Sequence, residues 1–355
     1  MSTATAPSAG DTATPPEGAL LAATDLTRTF RVGGWRGRKT LHAVDEATFA
    51  IGKGEIVALV GESGSGKSTI ARLLAGVYRP SSGDIWFNGR RVSALRSRGE
   101  QLAYRAAVPM VFQDPFSSLN PAYRVNHGIL RGLKLHRPDI APADRMDEAI
   151  RVVEAVGLRP AAEVLQRYPY ELSGGQRQRI GFAQALAYQP QVILADEPVS
   201  MLDISIRIGL LNVMARLRDE QGVSLLYITH DIASARYVAD RMMVMYAGRV
   251  VESGPVEEVL GNPRHPYTQL LVAAVPDPRA ALTVTAEQAK GEPPKVIDPE
   301  PGCRFADRCP LVRDVCRRVT PPLLELAPGD GAPVLAACHV AAEQAGRGAE
   351  SAHAA

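Results

Sequence analysis

Nine consecutive residues, Gly61-Glu62-Ser63-Gly64-Ser65-Gly66-Lys67-Ser68-Thr69, follow the pattern G-x-x-x-x-G-K-[ST]. Glycines at this spacing let successive backbone N–H groups turn inward around phosphate oxygens. Lys67 adds a point charge, and Ser68 offers a hydroxyl to Mg²⁺. Downstream, the apolar run Val192-Ile193-Leu194-Ala195 ends in Asp196-Glu197. Open α/β sheets bind ligands beyond the C-terminal edges of their strands, so this pair arrives where a metal and a water would sit. Asp196 is expected in the Mg²⁺ shell and Glu197 as the base that orients and deprotonates the water. An acidic pair ending a strand is common; the upstream loop gives this one its meaning. His230 ends the next apolar run, Leu225-Leu226-Tyr227-Ile228-Thr229, and Gln113 follows Val108–Phe112 in the same manner. A lone His or Gln at a strand end is usually only solvated. Beside Glu197, His230 is expected to reach a γ-phosphate and hold Glu197 in register, and Gln113 to contact Mg²⁺ or the water.

A second motif, Leu172-Ser173-Gly174-Gly175-Gln176, opens a helix running through Arg177–Tyr188. A helix N-terminus with an uncovered Gly-Gly step attracts anions. It lies about 105 residues after Lys67, in a different part of the chain. Two such sites on separate subdomains are not expected to grip one nucleotide within a monomer. A head-to-tail pair of chains, each motif closing over the partner's phosphates, satisfies both. Asp203 in Ser200-Met201-Leu202-Asp203 then lies between the two sites. Phe30 is the candidate for stacking on a base and Val44 for lining a ribose, although an aromatic in an N-terminal strand is as often core packing.

The elements that must carry these residues follow from the pattern of the chain. Its 355 residues are 46% apolar and 22% charged, with a formal net charge of +2. Forty basic and thirty-eight acidic residues are interspersed, which disfavours nucleic acid as a partner. No apolar run approaches the roughly eighteen residues needed to cross a bilayer, and residues 1–18 lack the form of a secretory signal. A cytoplasmic location is expected, with any membrane role arriving through a partner. Residues 1–18 and 346–355 read as disordered tails. Leu20–Val32 and His42–Ile51 read as strands flanking a basic insert at residues 33–39, and Glu55–Val60 as a strand leading into the phosphate loop. Asp84–Asn88 and Ala107–Phe112 follow as strands. Residues 122–188 read as a helical subdomain, with Gly157 capping a helix over Ala143–Gly157. Strands at Val192–Ala195, Ser224–Thr229 and Arg241–Met245, with the helix Ser205–Gln221, argue a parallel, helix-covered sheet. Helices near Glu257–Leu260 and Pro266–Ala274 close the core at about residue 275. Residues 276–345 read as a small C-terminal appendage.

In order, Gly61–Thr69, Gln113, Leu172–Gln176, Val192–Glu197, Ser200–Asp203 and His230 resemble the complete motif set of ATP-binding-cassette (ABC) ATPases. The resemblance covers about residues 19–275. It implies a P-loop α/β fold with a mixed, largely parallel sheet, an antiparallel β subdomain and a helical signature subdomain. Within that family, Phe112-Gln113-Asp114-Pro115-Phe116-Ser117-Ser118-Leu119-Asn120-Pro121, Arg264-His265-Pro266-Tyr267-Thr268 and Gly302-Cys303-Arg304-Phe305-Ala306-Asp307-Arg308-Cys309-Pro310 are similar to the ATP-binding subunits of oligopeptide and dipeptide importers. Such a subunit binds ATP and Mg²⁺ at the cytoplasmic face of the membrane. It docks on two transmembrane permeases, commonly beside a sibling ATPase, and an external solute-binding protein delivers substrate. The helical segment near Gln113–Arg124 would receive the permease's coupling helix. Relatives also import oligosaccharide or nickel, so peptide is one of several solute classes; a non-transport ABC ATPase is the more distant alternative, and 105 residues leave no room for the coiled coil of the chromosome-structure type. Met201 stands where the family more often has Ala. All four cysteines, Cys303, Cys309, Cys316 and Cys338, lie beyond residue 300. Four thiols there suggest either a soft metal centre, such as the iron–sulfur cluster some relatives bind, or four ordinary reduced thiols.

Overall fold

Alternate residues of one five-residue strand divide the interior in two. In β3 (Ile56–Val60), Ile56, Ala58 and Val60 join an apolar cluster shared with the helical lobe. Val57 and Leu59 point the other way, into a cluster shared with the N-terminal strands. Every residue of β3, β7 (Val192–Asp196) and β8 (Ser224–Thr229) is buried. That is why these strands read as continuous apolar runs rather than alternating ones. The computed structural model describes residues 18–33, 39–114, 119–274, 296–326 and 333–346. The sequence-expected tails and the basic insert fall almost wholly outside them.

The remaining strands are β1 (Leu21–Val32), β2 (Lys39–Ile51), β4 (Ser82–Phe87), β5 (Arg90–Arg91), β6 (Met110–Val111), β9 (Arg241–Tyr246), β10 (Arg249–Pro255), β11 (Leu324–Leu326) and β12 (Val334–Ala336). They form a main sheet in the order β11-β12-β10-β9-β3-β8-β7-β6 and a smaller sheet β2-β1-β4-β5. From β9 to β6 the main sheet is parallel. The smaller sheet is antiparallel and buries Leu21, Leu26, Val44 and Ile51 against the helix Lys67–Leu74 and the main sheet. The fold class expected from sequence, a largely parallel sheet with an antiparallel and a helical subdomain, stands.

Two local expectations change. Ala107 ends a helix, Arg98–Ala107, so the following strand shrinks to Met110–Val111. Ser97 and Glu100 form a reciprocal capping box at that helix, the S-x-x-E signal that marks its start in the sequence. The segment Gln113–Arg124 carries no helix over its described residues, and Pro115–Ser118 lies outside them. The C-terminal appendage, over its described residues 296–326 and 333–346, is joined to the core by strand pairing. β12 pairs antiparallel with β10, β11 pairs with β12, and Leu41 bridges to Ile297, so the C-terminal stretch extends the main sheet and returns to β2.

The junction is held by a buried polar turn. The Glu252 carboxylate, on β10, accepts the N–H groups of Arg264 (2.8 Å) and His265 (2.9 Å). His265 Nδ1 then accepts the N–H of Tyr267 (3.0 Å), capping the helix Pro266–Ala273. Burial pushes the His265 pKa down to about 3 from 6.5, so the ring stays neutral in the folded chain. The unfolded chain therefore binds the extra proton between about pH 6.5 and 3, and stability falls with acid by at most about 1.4 kcal/mol per pH unit from this group. Glu252, raised by burial, acts with the opposite sign, so the difference from a variant is the readout. His265→Asn retains a capping acceptor without the titration. Thermal midpoints measured from pH 7 to 5 are expected to fall less steeply in this variant; parallel slopes would refute the assignment.

Candidate nucleotide site

β3 delivers Gly61 directly into the loop. Gly61 (φ 153°) and Gly66 (φ 108°) cannot be replaced without collision: a Cβ would lie 2.1 Å from the Met245 carbonyl oxygen at the first and 2.2 Å from that of Ala43 at the second. Close backbone approach on two sides thus shapes the cradle. Lys67 is buried, and its ammonium donates to the carbonyls of Gly61 (2.7 Å) and Glu62 (2.9 Å). Burial lowers its pKa, opposed by the charges of Glu197, Asp196 and Glu62. No side chain caps the helix Lys67–Leu74, whose N-terminus therefore faces the loop as an anion site. Ser63 and Gly64 are exposed, while Ser65 is buried and Thr69 half-buried.

The sheet order β8-β7-β6 explains why three distant residues meet. Glu197 follows β7, with His230 beyond β8 on one side and Gln113 beyond β6 on the other. Glu197 Oε2 accepts from Gln113 Nε2 at 3.1 Å and lies 3.3 Å from His230 Nδ1. Its backbone takes φ 45°, a left-handed conformation costing a non-glycine residue about 1–2 kcal/mol, and its N–H donates to Ile228 O at 2.9 Å. Ser68 Oγ donates to Asp196 Oδ1 at 2.9 Å. Burial raises the Asp196 pKa, with Ser68 and Arg72 pulling the other way. Phosphate loop, acidic pair, Gln113 and His230 are therefore one constellation. Gln178 had no signal beyond being a polar residue on a helix face. It is buried and donates to Phe112 O at 3.2 Å, fixing the strand end from which Gln113 emerges.

The second motif sits on the helical lobe. Leu172 is buried, Ser173 Oγ accepts the Gln176 N–H (3.2 Å), and Gln176 Oε1 accepts the Ser173 N–H (3.0 Å). A Cβ on Gly175 would lie 2.3 Å from Ile206 Cγ2, and one on Gly174 3.9 Å from Leu202. The motif therefore packs against the start of the helix Ile204–Gln221, preceded by exposed Asp203. Phe30 is half-buried, edge-on to Tyr78 (5.6 Å) with Arg28 over its face (4.7 Å). Val44 is fully buried in the core and presents no surface to a ribose, which corrects its expected role.

All four cysteines are free, and they line one cavity of about 10 Å³ with His265, Phe305 and His339. Burial pushes the Cys303 thiol up to about 11. Among the described residues, no three His, Cys, Asp or Glu side chains are arranged to hold a metal ion, and none of the helices is long and apolar enough to cross a membrane.

Residues 44–200 match the ABC transporter family, and residues 251–316 match the oligopeptide/dipeptide transporter C-terminal region. The chain is 42% identical over 333 residues to the probable peptide ABC transporter ATP-binding protein y4tS of Sinorhizobium fredii, covering 92% of this chain and 91% of that one. It is 40% identical over 291 residues to the oligopeptide transport ATP-binding protein OppF of Escherichia coli, covering 81% and 86%. Among solved structures, it resembles the ATP-binding cassette MJ0796, a dimer in a post-hydrolysis state bound to ADP and Pi (TM-score 0.59, 26% identity, 66% of this chain and 98% of that one). It also resembles cbiO1 from Clostridium perfringens, part of the ABC transporter complex cbiONQ (TM-score 0.58, 26% identity, 69% and 92%). With the motif set assembled around one phosphate loop, the chain belongs to the ABC transporter family of ATPases, in the branch that carries the oligopeptide/dipeptide transporter C-terminal region.

Proposed function

We propose that this chain binds and hydrolyses ATP to energise peptide uptake through two partner permeases, at the cytoplasmic face of the membrane and paired with a second cassette. The grip on Glu197 by Gln113 and His230, beside Lys67 and the Ser68–Asp196 pair, carries the ATPase reading. Both contacts fall on Oε2, so Oε1 is the oxygen offered to an attacking water. Gln113 and His230 fix the carboxylate's rotamer, and Lys67 with the loop N–H groups binds the phosphates. A buried carboxylate with raised pKa, hydrogen-bonded to a hydroxyl, suits a divalent cation. Ser68, Asp196 and Gln113 would hold Mg²⁺, which neutralises charge on the phosphates when bound.

Pairing is supported by what flanks Asp203. Met201 is 65% and Ile204 74% exposed, apolar surface that a second cassette would cover. Ser173, Gly174 and Gly175 would then close over the partner's nucleotide. The four cysteines are the right donors for an iron–sulfur or other soft metal centre, but their described arrangement does not fit one, and no step is drawn through it.

In purified samples, the rate per chain should rise with protein concentration as pairs form. A constant specific activity in dilute, strictly monomeric protein would refute shared sites. Co-expressed with its permeases in vesicles, the chain should drive ATP-dependent accumulation of a radiolabelled oligopeptide delivered by the external solute-binding protein. Accumulation of oligosaccharide or nickel instead would move the substrate assignment while leaving the motor intact.

A further inference from the structure

Two motifs of the C-terminal half meet at a residue of the phosphate loop that the ATPase chemistry leaves unused. Glu62 is the one acidic residue in Gly61–Thr69. Its carboxylate receives a two-pronged grip from the Arg308 guanidinium, Nη1 to Oε2 and Nη2 to Oε1, each at 2.9 Å. Its backbone N–H donates to the hydroxyl oxygen of Tyr267 at 2.9 Å. Neither end of this grip is loose. Arg308 lies 5.7 Å from the ring centroids of both Tyr246 and Phe305, and these rings pack with Tyr267 into a buried aromatic cluster. The paired side chains are 12% and 23% exposed, shielded enough for the charges to matter. Tyr267 belongs to the Arg264–Thr268 motif and Arg308 to the Gly302–Pro310 motif, so two stretches far from the loop in sequence hold one residue of it.

We propose that Arg308 is a positioning residue for nucleotide binding: it neutralises Glu62 and, with Tyr267, fixes the first turn of the phosphate loop. The inference rests on the ATP-binding reading of that loop. An unpaired carboxylate here would stand beside Lys67, whose ammonium bonds the Glu62 carbonyl, and would repel the polyphosphate that Lys67 attracts. Held by Arg308, the same carboxylate is neutralised rather than set against Lys67, and the Glu62 backbone is fixed at two points. The guanidinium's pKa is driven above its usual range chiefly by its bond to Glu62.

The test is equilibrium binding of the fluorescent nucleotide mant-ATP, with Mg²⁺, to the full chain and variants, with circular dichroism reporting folding. Arg308→Met keeps an apolar stem against the rings and removes the charge. It is expected to weaken binding about tenfold, and Arg308→Lys by no more than about threefold. Adding Glu62→Gln to Arg308→Met removes the uncompensated carboxylate and is expected to recover most of the loss. Parental affinity in Arg308→Met overturns the proposal. So does a double variant as weak as Arg308→Met, since a purely packing role would not be rescued by discharging Glu62. If Arg308→Met does not fold, Arg308→Gln combined with Glu62→Gln stands in: near-parental binding supports the proposal and a tenfold loss overturns it. A parental chain that fails to bind mant-ATP would overturn the nucleotide reading itself.

Discussion

Glu197→Gln is expected to lower the ATP turnover number by about 10²–10⁴-fold while ATP binding survives. The side chain keeps its size, and the φ of 45° is met by Glu and Gln alike, so the backbone has no reason to move. Lys67, Ser68 and the loop amides are untouched, so the phosphates keep their partners. What disappears is the oxygen that takes the water's proton, because an amide is not a base near neutral pH. Nucleotide should then accumulate uncleaved between two cassettes, and size-exclusion chromatography with ATP should show a stable dimer where the parental chain shows exchange. Phosphate release measured in the assembled complex decides the point. Hydrolysis at the parental rate would remove Glu197 from the role of base.

Gly66→Ala is expected to cost about 100-fold in nucleotide affinity and roughly 2 kcal/mol in stability. The added Cβ falls 2.2 Å from the Ala43 carbonyl and 2.7 Å from Met245 Cε, at φ 108°. The methionine tip can turn aside. The Ala43 carbonyl has less freedom, because it is main chain between His42 and Val44, which pair with Thr29 and Arg28 of β1 on either side of a bulge. The loop must therefore open, and the N–H groups that converge on phosphate diverge. Gly64→Ala is the internal comparison: its φ of 77° still penalises a side chain, but the position of the Cβ has nothing within 4 Å. It should lose much less affinity, and melting curves with titrations on both variants check the ordering. Equal losses would mean that the clash at Ala43 is relieved elsewhere.

Much of this site was legible because it depends on residues close together in the chain or on strand ends. The phosphate loop is a local object: a strand, a Gly-rich turn and a helix, each encoded within twenty residues. Gln113, Glu197 and His230 were readable for a related reason. Parallel strands present their C-terminal ends to one edge, so a polar residue ending an apolar run is delivered there whatever the strand order. The same reasoning over-extended the strand at Ala107, where Ser97 and Glu100 had already started a helix. It also put Val44 beside a ribose, when β2 turns that side chain into the core.

By itself, then, the sequence determined the phosphate-binding loop, the acidic pair at a strand end and the alternation of helices and strands, because propensity, periodicity and motif spacing act over short range. Only the tertiary structure decided that β10 and β12 weld the C-terminal stretch to the ATPase sheet, and that Arg308 and Tyr267 close on Glu62. The two contacts to Glu62 join residues more than 200 positions apart. No local pattern encodes a pairing at that separation; it follows from how the sheet edge and the aromatic cluster pack once the chain has folded.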